Sequence, residues 1–237
     1  MTEELFRADG YLRECEASVT AVHGDHICLD RTVFYPEGGG QPGDTGVLLC
    51  GNGASVRIVD TLSNDDHGLV HVAEEGADMP QAGEVISARI DWERRYRLMR
   101  MHSALHMLCS VVPAPVTGGS IRDGQGRLDF DLPEPIDKAE LNALLSEAIA
   151  KDRPMSMRWI TDQELAEQPE LVRTMSVQPP TGTGSVRLVH FEGLDLQPCG
   201  GTHVASTGEI GRVQVKKIEK KGRQNRRVIL VLDDGGR

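Results

Sequence analysis

The feature that most constrains this chain is a pair of histidines, His102 and His106, in the run 94–108. A second pair, Cys199 and His203, lies more than ninety residues further on. In a helix, positions i and i+4 are face neighbours with Cβ atoms about 5–6 Å apart, so two imidazoles there can reach one metal ion. A cysteine and a third histidine complete a Zn2+-type set of nitrogen and sulfur ligands. If the pairs meet, the fold must carry a helix and a distant glycine-lined loop, Pro198-Cys199-Gly200-Gly201-Thr202-His203, to one point.

The run around the first pair reads as a helix. Asp91 is placed to cap it, Glu93 suits the positive end of its dipole, and Pro113-Ala114-Pro115 stops it. Leu98, Met101, Leu105, Leu108 and Val112 recur at helical spacing, which predicts a buried stripe with His102 and His106 along its edge. By itself an HxxxH pair is more often structural than ligating, and the CxxxH loop is what changes the balance. Ser103 follows His102 where a zinc protease of the HExxH type needs glutamate, which disfavours that class. His67 and His71 are also four apart, but among glycine and aspartate, and read as a solvated loop and strand residue. Four protein ligands suit a closed structural site as well as a catalytic one, and spacing leaves both open.

The rest of the chain predicts an α+β protein. Before residue 91 the short apolar runs 17–22, 26–29, 46–49, 56–59 and 85–90, broken by Gly, Asp and Asn, predict a small barrel or sandwich. Inside it, Gly38-Gly39-Gly40-Gln41 belongs to the glycine-rich run 33–46, where positive φ or a close backbone approach is required. A tight strand connection and a ligand-contacting loop both account for it. Residues 92–237 form the second predicted domain, with antiparallel strands at 128–132, 155–160, 186–191, 210–218 and 227–232. Its helices are predicted at 137–150, capped by Asp137 with Glu140 at the capping-box position, and at 161–168, stopped by Pro169. Residues 179–184 read as a loop, and 116–121 as a lead into a turn.

Charge and cysteine usage narrow the setting. The net charge of −10 argues against indiscriminate nucleic-acid binding, but Lys216, Lys217, Lys220, Lys221 and Arg223 cluster near the C-terminus, and Arg94, Arg95, Arg97 and Arg100 form a second group. Both groups are candidate phosphate contacts. Five cysteines without a CxxC pair fit a reducing compartment, and four of them read as small buried residues. Neither a leader nor a membrane-length apolar run is present in the sequence, so the cytoplasm is the expected location. Aromatic residues make up only 4%, which makes Trp92 and Trp159 candidate core anchors.

The histidine helix, the 116–121 segment, Cys199-Gly200-Gly201-Thr202-His203 and the tail from Thr207-Gly208-Glu209-Ile210-Gly211 through the basic run together resemble the editing domain of alanyl-tRNA synthetases. More closely, they resemble the freestanding alanyl-tRNA editing proteins of the AlaX family. The glycine-rich run 34–46 resembles a motif of that family's longer members, and the resemblance spans about residues 16–233. It implies an N-terminal barrel domain (1–91) and a zinc-binding editing domain (92–237), with the site in the cleft they share.

What the resemblance implies chemically is a deacylase that hydrolyses tRNA(Ala) mischarged with serine, and also with glycine, using water associated with one Zn2+. His102, His106, Cys199 and His203 would be the ligands and Thr117 the pocket residue that meets the serine hydroxyl, with His102, His106 and Thr117 forming the catalytic group. Gly38, Gly39, Gly40, Gln41 and the basic residues at 216–223 would contact tRNA. Nothing resembles an ATP-binding aminoacylation domain. Two other readings remain: a non-catalytic zinc-stabilised RNA-binding module, and a metal-dependent hydrolase of a small ester or amide.

Overall fold

Alternation of apolar and polar residues builds the N-terminal half into strands. In the computed structural model, which describes residues 2–64, 66–173 and 184–235, the chain divides into two units, Met1–Tyr96 and Arg97–Arg237. The first contains β1 (Glu3–Glu4), β2 (Glu14–His23), β3 (His26–Leu29), β4 (Arg31–Thr32), β5 (Gly46–Cys50), β6 (Ser55–Asn64), β7 (Gly68–Ala73) and β8 (Val85–Ile90). Six of these close an antiparallel barrel in the order β2-β3-β7-β6-β5-β8, leaving no open edge. Val19, Ile27, Leu29, Leu48, Val56 and Ile58 fill it. Each fully buried aliphatic side chain contributes about 1.5–3 kcal/mol.

The predicted small barrel is therefore present, with one strand the periodicity missed. That strand, β7, carries His71, which is fully buried rather than solvated. Its Nδ1–H donates to the Ile27 carbonyl (3.1 Å), and its Nε2 accepts from the Thr32 hydroxyl (2.7 Å), which itself accepts the Phe34 N–H. Burial holds its pKa down at about 4.

The glycine-rich run has two physical causes. Gly38 and Gln41 exchange both backbone hydrogen bonds (3.0 and 2.9 Å), and the two residues between them, Gly39 and Gly40, have φ of +57° and +82°. Positive φ at both central positions is what a primed two-residue turn demands. At Gly43 the cause is proximity, since a Cβ there would collide with the Thr61 carbonyl and the Asp60 carboxylate. Arg95 secures the same segment. Fully buried, it pairs with Asp44 through Nε (3.0 and 2.9 Å) and Nη2, and also reaches the carbonyls of Val33 (2.8 Å) and Gly10 (3.1 Å). Asp44 in turn accepts the Tyr35 N–H at 2.7 Å.

Helix α1 (Trp92–Val111) starts in the first unit and continues into the second, with Asp91 accepting the Arg94 N–H (3.2 Å) as its cap. The predicted stripe understates its burial: from Leu98 to Cys109 every residue is buried except Arg100. A helix covered on all sides has no edge of the kind its spacing predicted. The second unit continues with β9 (Val116–Arg122), β10 (Gln125–Asp131), α2 (Lys138–Ala150), β11 (Met155–Thr161), α3 (Asp162–Ala166), β12 (Ser185–Phe191), β13 (Asp195–Pro198), β14 (Val213–Lys221) and β15 (Asn225–Leu232). Two antiparallel sheets result, ordered β14-β15-β10-β9 and β11-β12-β13.

Several local expectations change. The 116–121 segment is strand, hydrogen-bonded along β10, and the basic connection is mostly strand with its turn at residues 222–224. Trp159 is 52% exposed and anchors no core. Of the loop predicted at 179–184, residues 179–183 lie outside the described residues. α2 keeps its Asp137 cap, and α3 has a full capping box between Thr161 and Glu164. Among the described residues no helix is long and apolar enough to cross a membrane.

Candidate metal centre

The two distant pairs meet. One turn of α1 presents His102 and His106, while the loop after β13 presents Cys199 and His203, and the four potential ligand atoms lie within 4.8 Å of one another. All four residues belong to the second unit. Cys199 Sγ is 3.2 Å from His203 Nε2 and 3.4 Å from His102 Nε2. Those separations suit neighbouring donors of a tetrahedral ion with bonds of about 2.0–2.3 Å. The imidazoles are only 3–7% exposed.

Electrostatics fit a cation site. Burial pushes the Cys199 thiol up, but the charges of His102 and His203 outweigh it and hold its pKa well below the usual range. Burial and the charge of His102 hold His203 well below an ordinary histidine. His106 goes the other way, to about 10, because its hydrogen bond to Asp195 and the proximity of Cys199 outweigh burial. A thiolate and a neutral imidazole are the forms that ligate a metal; Cys199 and His203 are held toward those forms, while His106 has to release a proton as an ion binds, and the donor set present fits one ion.

Residues that sequence reasoning passed over orient these ligands. His106 Nδ1–H donates to Asp195 Oδ2 (2.7 Å), which turns Nε2 toward the cluster. Gln197 Nε2 also donates to that oxygen (2.8 Å). Asp195 Oδ1 accepts no hydrogen bond among the described residues, its nearest cation being Arg173 Nε at 3.9 Å. On the other side, His203 Nδ1 lies 3.2 Å from Ser103 Oγ, which also accepts the Val204 N–H. Ser103, the residue that disfavoured a zinc protease, thus positions a candidate ligand. A period of two in Asp195, Gln197 and Cys199 was the available signal, because alternate residues of a strand share a face.

Other predicted site residues are less concentrated. Thr117 lies half-buried on β9 and donates its hydroxyl to the Asp129 carbonyl at 3.1 Å. Gly38, Gly39, Gly40 and Gln41 form the turn described above, in the first unit. Lys216, Lys217, Lys220, Lys221 and Arg223 are exposed, with Glu219 joining Lys217 (2.7 Å) and Lys221 (3.2 Å). The second basic group is engaged internally. Arg94 holds the Gly43 carbonyl, Arg95 holds Asp44, Arg97 holds Asp123 and Asp234, and Arg100 holds Asp234 and the Ile210 carbonyl. These arginines are structural ties, which corrects the expectation that they meet phosphate. Of the four cysteines expected to be buried, Cys28, Cys50 and Cys109 are, with burial raising each thiol, whereas Cys15 on β2 is only half-buried.

The family model described as tRNA synthetases class II (A) matches residues 8–94, and that of the threonyl and alanyl tRNA synthetase second additional domain matches residues 186–229. Full-length similarity is more specific. Alanyl-tRNA editing protein AlaX-M of Methanosarcina mazei is 38% identical over 99% of this chain and 98% of its own length, and that of Saccharolobus solfataricus is 33% identical over 96% and 98%. The alanine–tRNA ligase of Pyrobaculum calidifontis is 36% identical over 92% of this chain but only 25% of its own length. The chain belongs to the alanyl-tRNA editing protein family.

Proposed function

We propose that this protein removes wrongly attached amino acids from tRNA(Ala), serine above all and glycine as well, by hydrolysing the ester that joins them to the terminal ribose. The observation that carries the reading is the buried convergence of His102, His106, Cys199 and His203 in a chain similar over its whole length to alanyl-tRNA editing proteins. Zinc is the ion this donor set fits best, and when bound it supplies a Lewis acid that polarises the ester carbonyl and activates water. The chain's own residues do the placing. Asp195 and Ser103 fix the two imidazole orientations, and burial keeps bulk water from competing with the aligned reactants. An aminoacyl ester is intrinsically labile, so alignment replaces a dedicated carboxylate base.

Thr117 is our candidate for the serine-recognising contact. Its proton is engaged by the Asp129 carbonyl, leaving oxygen lone pairs free to accept from a substrate hydroxyl. A site built to pair with a hydroxyl rejects an analogue lacking it, because its own group is then left unpaired. Thr117→Val should therefore narrow the preference for Ser-tRNA(Ala) over Ala-tRNA(Ala) by about tenfold or more. An unchanged ratio removes Thr117 from this role.

Lys216, Lys217, Lys220, Lys221 and Arg223 are proposed phosphate contacts, and the Gly38–Gln41 turn a further contact with tRNA. The deciding experiment is serine release from Ser-tRNA(Ala), with Ala-tRNA(Ala) as the control. Zinc-loaded protein should deacylate the first selectively, a chelator should abolish the activity, and added zinc should restore it. Raising salt from about 50 to about 200 mM should raise KM steeply if the lysines meet phosphate. Absence of serine release by the zinc-loaded protein would falsify the reading.

A further inference from the structure

The sheet that carries Cys199 continues outward to an exposed tryptophan. Register pairs Leu188 with Pro198 across β12 and β13, and the Cys199 N–H donates to the Arg187 carbonyl at 3.0 Å, which extends the ladder by one residue. On the other side of β12, Arg187 pairs with Trp159 of β11. Directly opposed residues of antiparallel strands point to the same face, so Trp159, Arg187 and Cys199 form one row. The next rows on this face are Met157, Val189 and Gln197, then Met155, Phe191 and Asp195. The face that holds the metal-ligating cysteine and the histidine-orienting carboxylate is therefore the face that Trp159 continues.

Burial falls off sharply along that row. Arg187 is 4% exposed, its guanidinium fixed on the carbonyls of Cys199 (Nε, 2.9 Å) and Gly201, whereas Trp159 is 52% exposed and Met157 beside it 37%. They are the one adjacent pair among the six exposed large apolar side chains of the described residues. Trp159 meets no other aromatic ring there, unlike Trp92, which stacks on Tyr96. Two strand spacings separate it from Cys199, about 10 Å. A nucleoside has the same order of reach, from an acyl-bearing ribose oxygen to the far edge of its base.

We propose that Trp159, floored by Met157, is the stacking platform for the unpaired nucleobase of the nucleotide whose ribose carries the ester. Stacking on an indole face is the usual way to hold a single-stranded base without reading its sequence. Arg187 then has two structural effects. It shapes the Cys199–Gly201 loop and keeps the platform at a fixed distance from the ligands. The inference rests on the functional reading above, because it supplies the rest of that substrate's footprint.

Trp92 and Trp159 are the only tryptophans, so Trp92→Phe leaves Trp159 as sole reporter. In that zinc-loaded protein, seryl-3′-aminoadenosine, whose amide replaces the labile ester, should quench the fluorescence saturably, and serinamide should not. In the deacylation assay Trp159→Ala should raise KM for Ser-tRNA(Ala) by about tenfold with kcat changed little, and Trp159→Phe should recover most of the loss. Equal quenching by serinamide, an unaltered KM in Trp159→Ala, or fluorescence that follows protein concentration rather than nucleoside would each overturn it; the last would assign the strip to self-association. If the unaltered protein releases serine and only Trp159→Ala behaves normally, this inference fails alone. If the unaltered protein releases none, the functional reading fails with it.

Discussion

Both units bury a cluster of polar and charged side chains, and they do so on opposite terms. In the barrel unit, the Arg95 guanidinium, the Asp44 carboxylate and the His71 ring have partners placed at each side, and the network closes on backbone carbonyls and amides. In the second unit three imidazoles and a thiol crowd one another, and the carboxylate behind them keeps one oxygen without a hydrogen bond among the described residues. A closed network holds a loop in place. Three imidazoles and a thiol within reach of one ion are suited to take a cation, which makes the second cluster a candidate metal centre and the first a clasp.

The largest test of that contrast is to open the clasp. Asp44→Ala leaves Arg95 charged, fully buried and short of its partner, and removing one member of such a pair costs about 3–5 kcal/mol. Urea unfolding should report that loss. Replacing both members together with apolar residues should restore only part of it, because Arg95 also serves two carbonyls and Asp44 serves the Tyr35 amide. Full restoration by the double variant would mean that the pair, and not the network, is what matters.

His71 gives the next effect, and its sign follows from burial. Its pKa is about 4 when folded and near 6.5 when unfolded, so the unfolded chain binds the proton first. Stability contributed by the neutral ring is intact above pH 6.5, falls as pH drops through that value and levels off below about pH 4, a total of about 3 kcal/mol. His71→Gln should flatten this part of the stability profile between pH 7 and 4. A wild-type profile already flat in that window would show that the ring is protonated in place and the network less closed than its distances imply.

Much of this was legible in the sequence, for reasons that also explain the omissions. Short apolar runs punctuated by glycine and aspartate predicted the barrel, and two i,i+4 pairs pointed to the four side chains that converge, because both signals are local. β7 escaped because His71 interrupts its apolar text with a polar residue whose partners, Ile27 and Thr32, are about forty positions away. The arginines at 94, 95, 97 and 100 read as a nucleic-acid patch because their partners at 43, 44, 123, 210 and 234 are equally remote. Trp159 read as core because aromatics are scarce, and only strand order places it on an outer strand. The expectation of a tRNA substrate came from the family resemblance, because no spacing contains it.

Asp195 marks where the open cluster borrows the logic of the closed one, and its removal should have the smallest of these effects. Its Oδ2 accepts from His106 Nδ1, which selects the tautomer and aims Nε2, while the charge beyond it makes the imidazole a better donor. Asp195→Asn keeps the shape, since an amide oxygen can still accept that proton, but removes the charge and places an amide nitrogen where the unpaired oxygen lay. Metal affinity, measured by competition with a chromophoric chelator, should fall by about 10–100-fold with the fold retained. Asp195→Ala should fall further, because orientation goes with the charge. Equal affinity in all three proteins would mean that His106 is held by packing against Phe191, 5.8 Å between ring centres, and that the clasp-like contact is incidental.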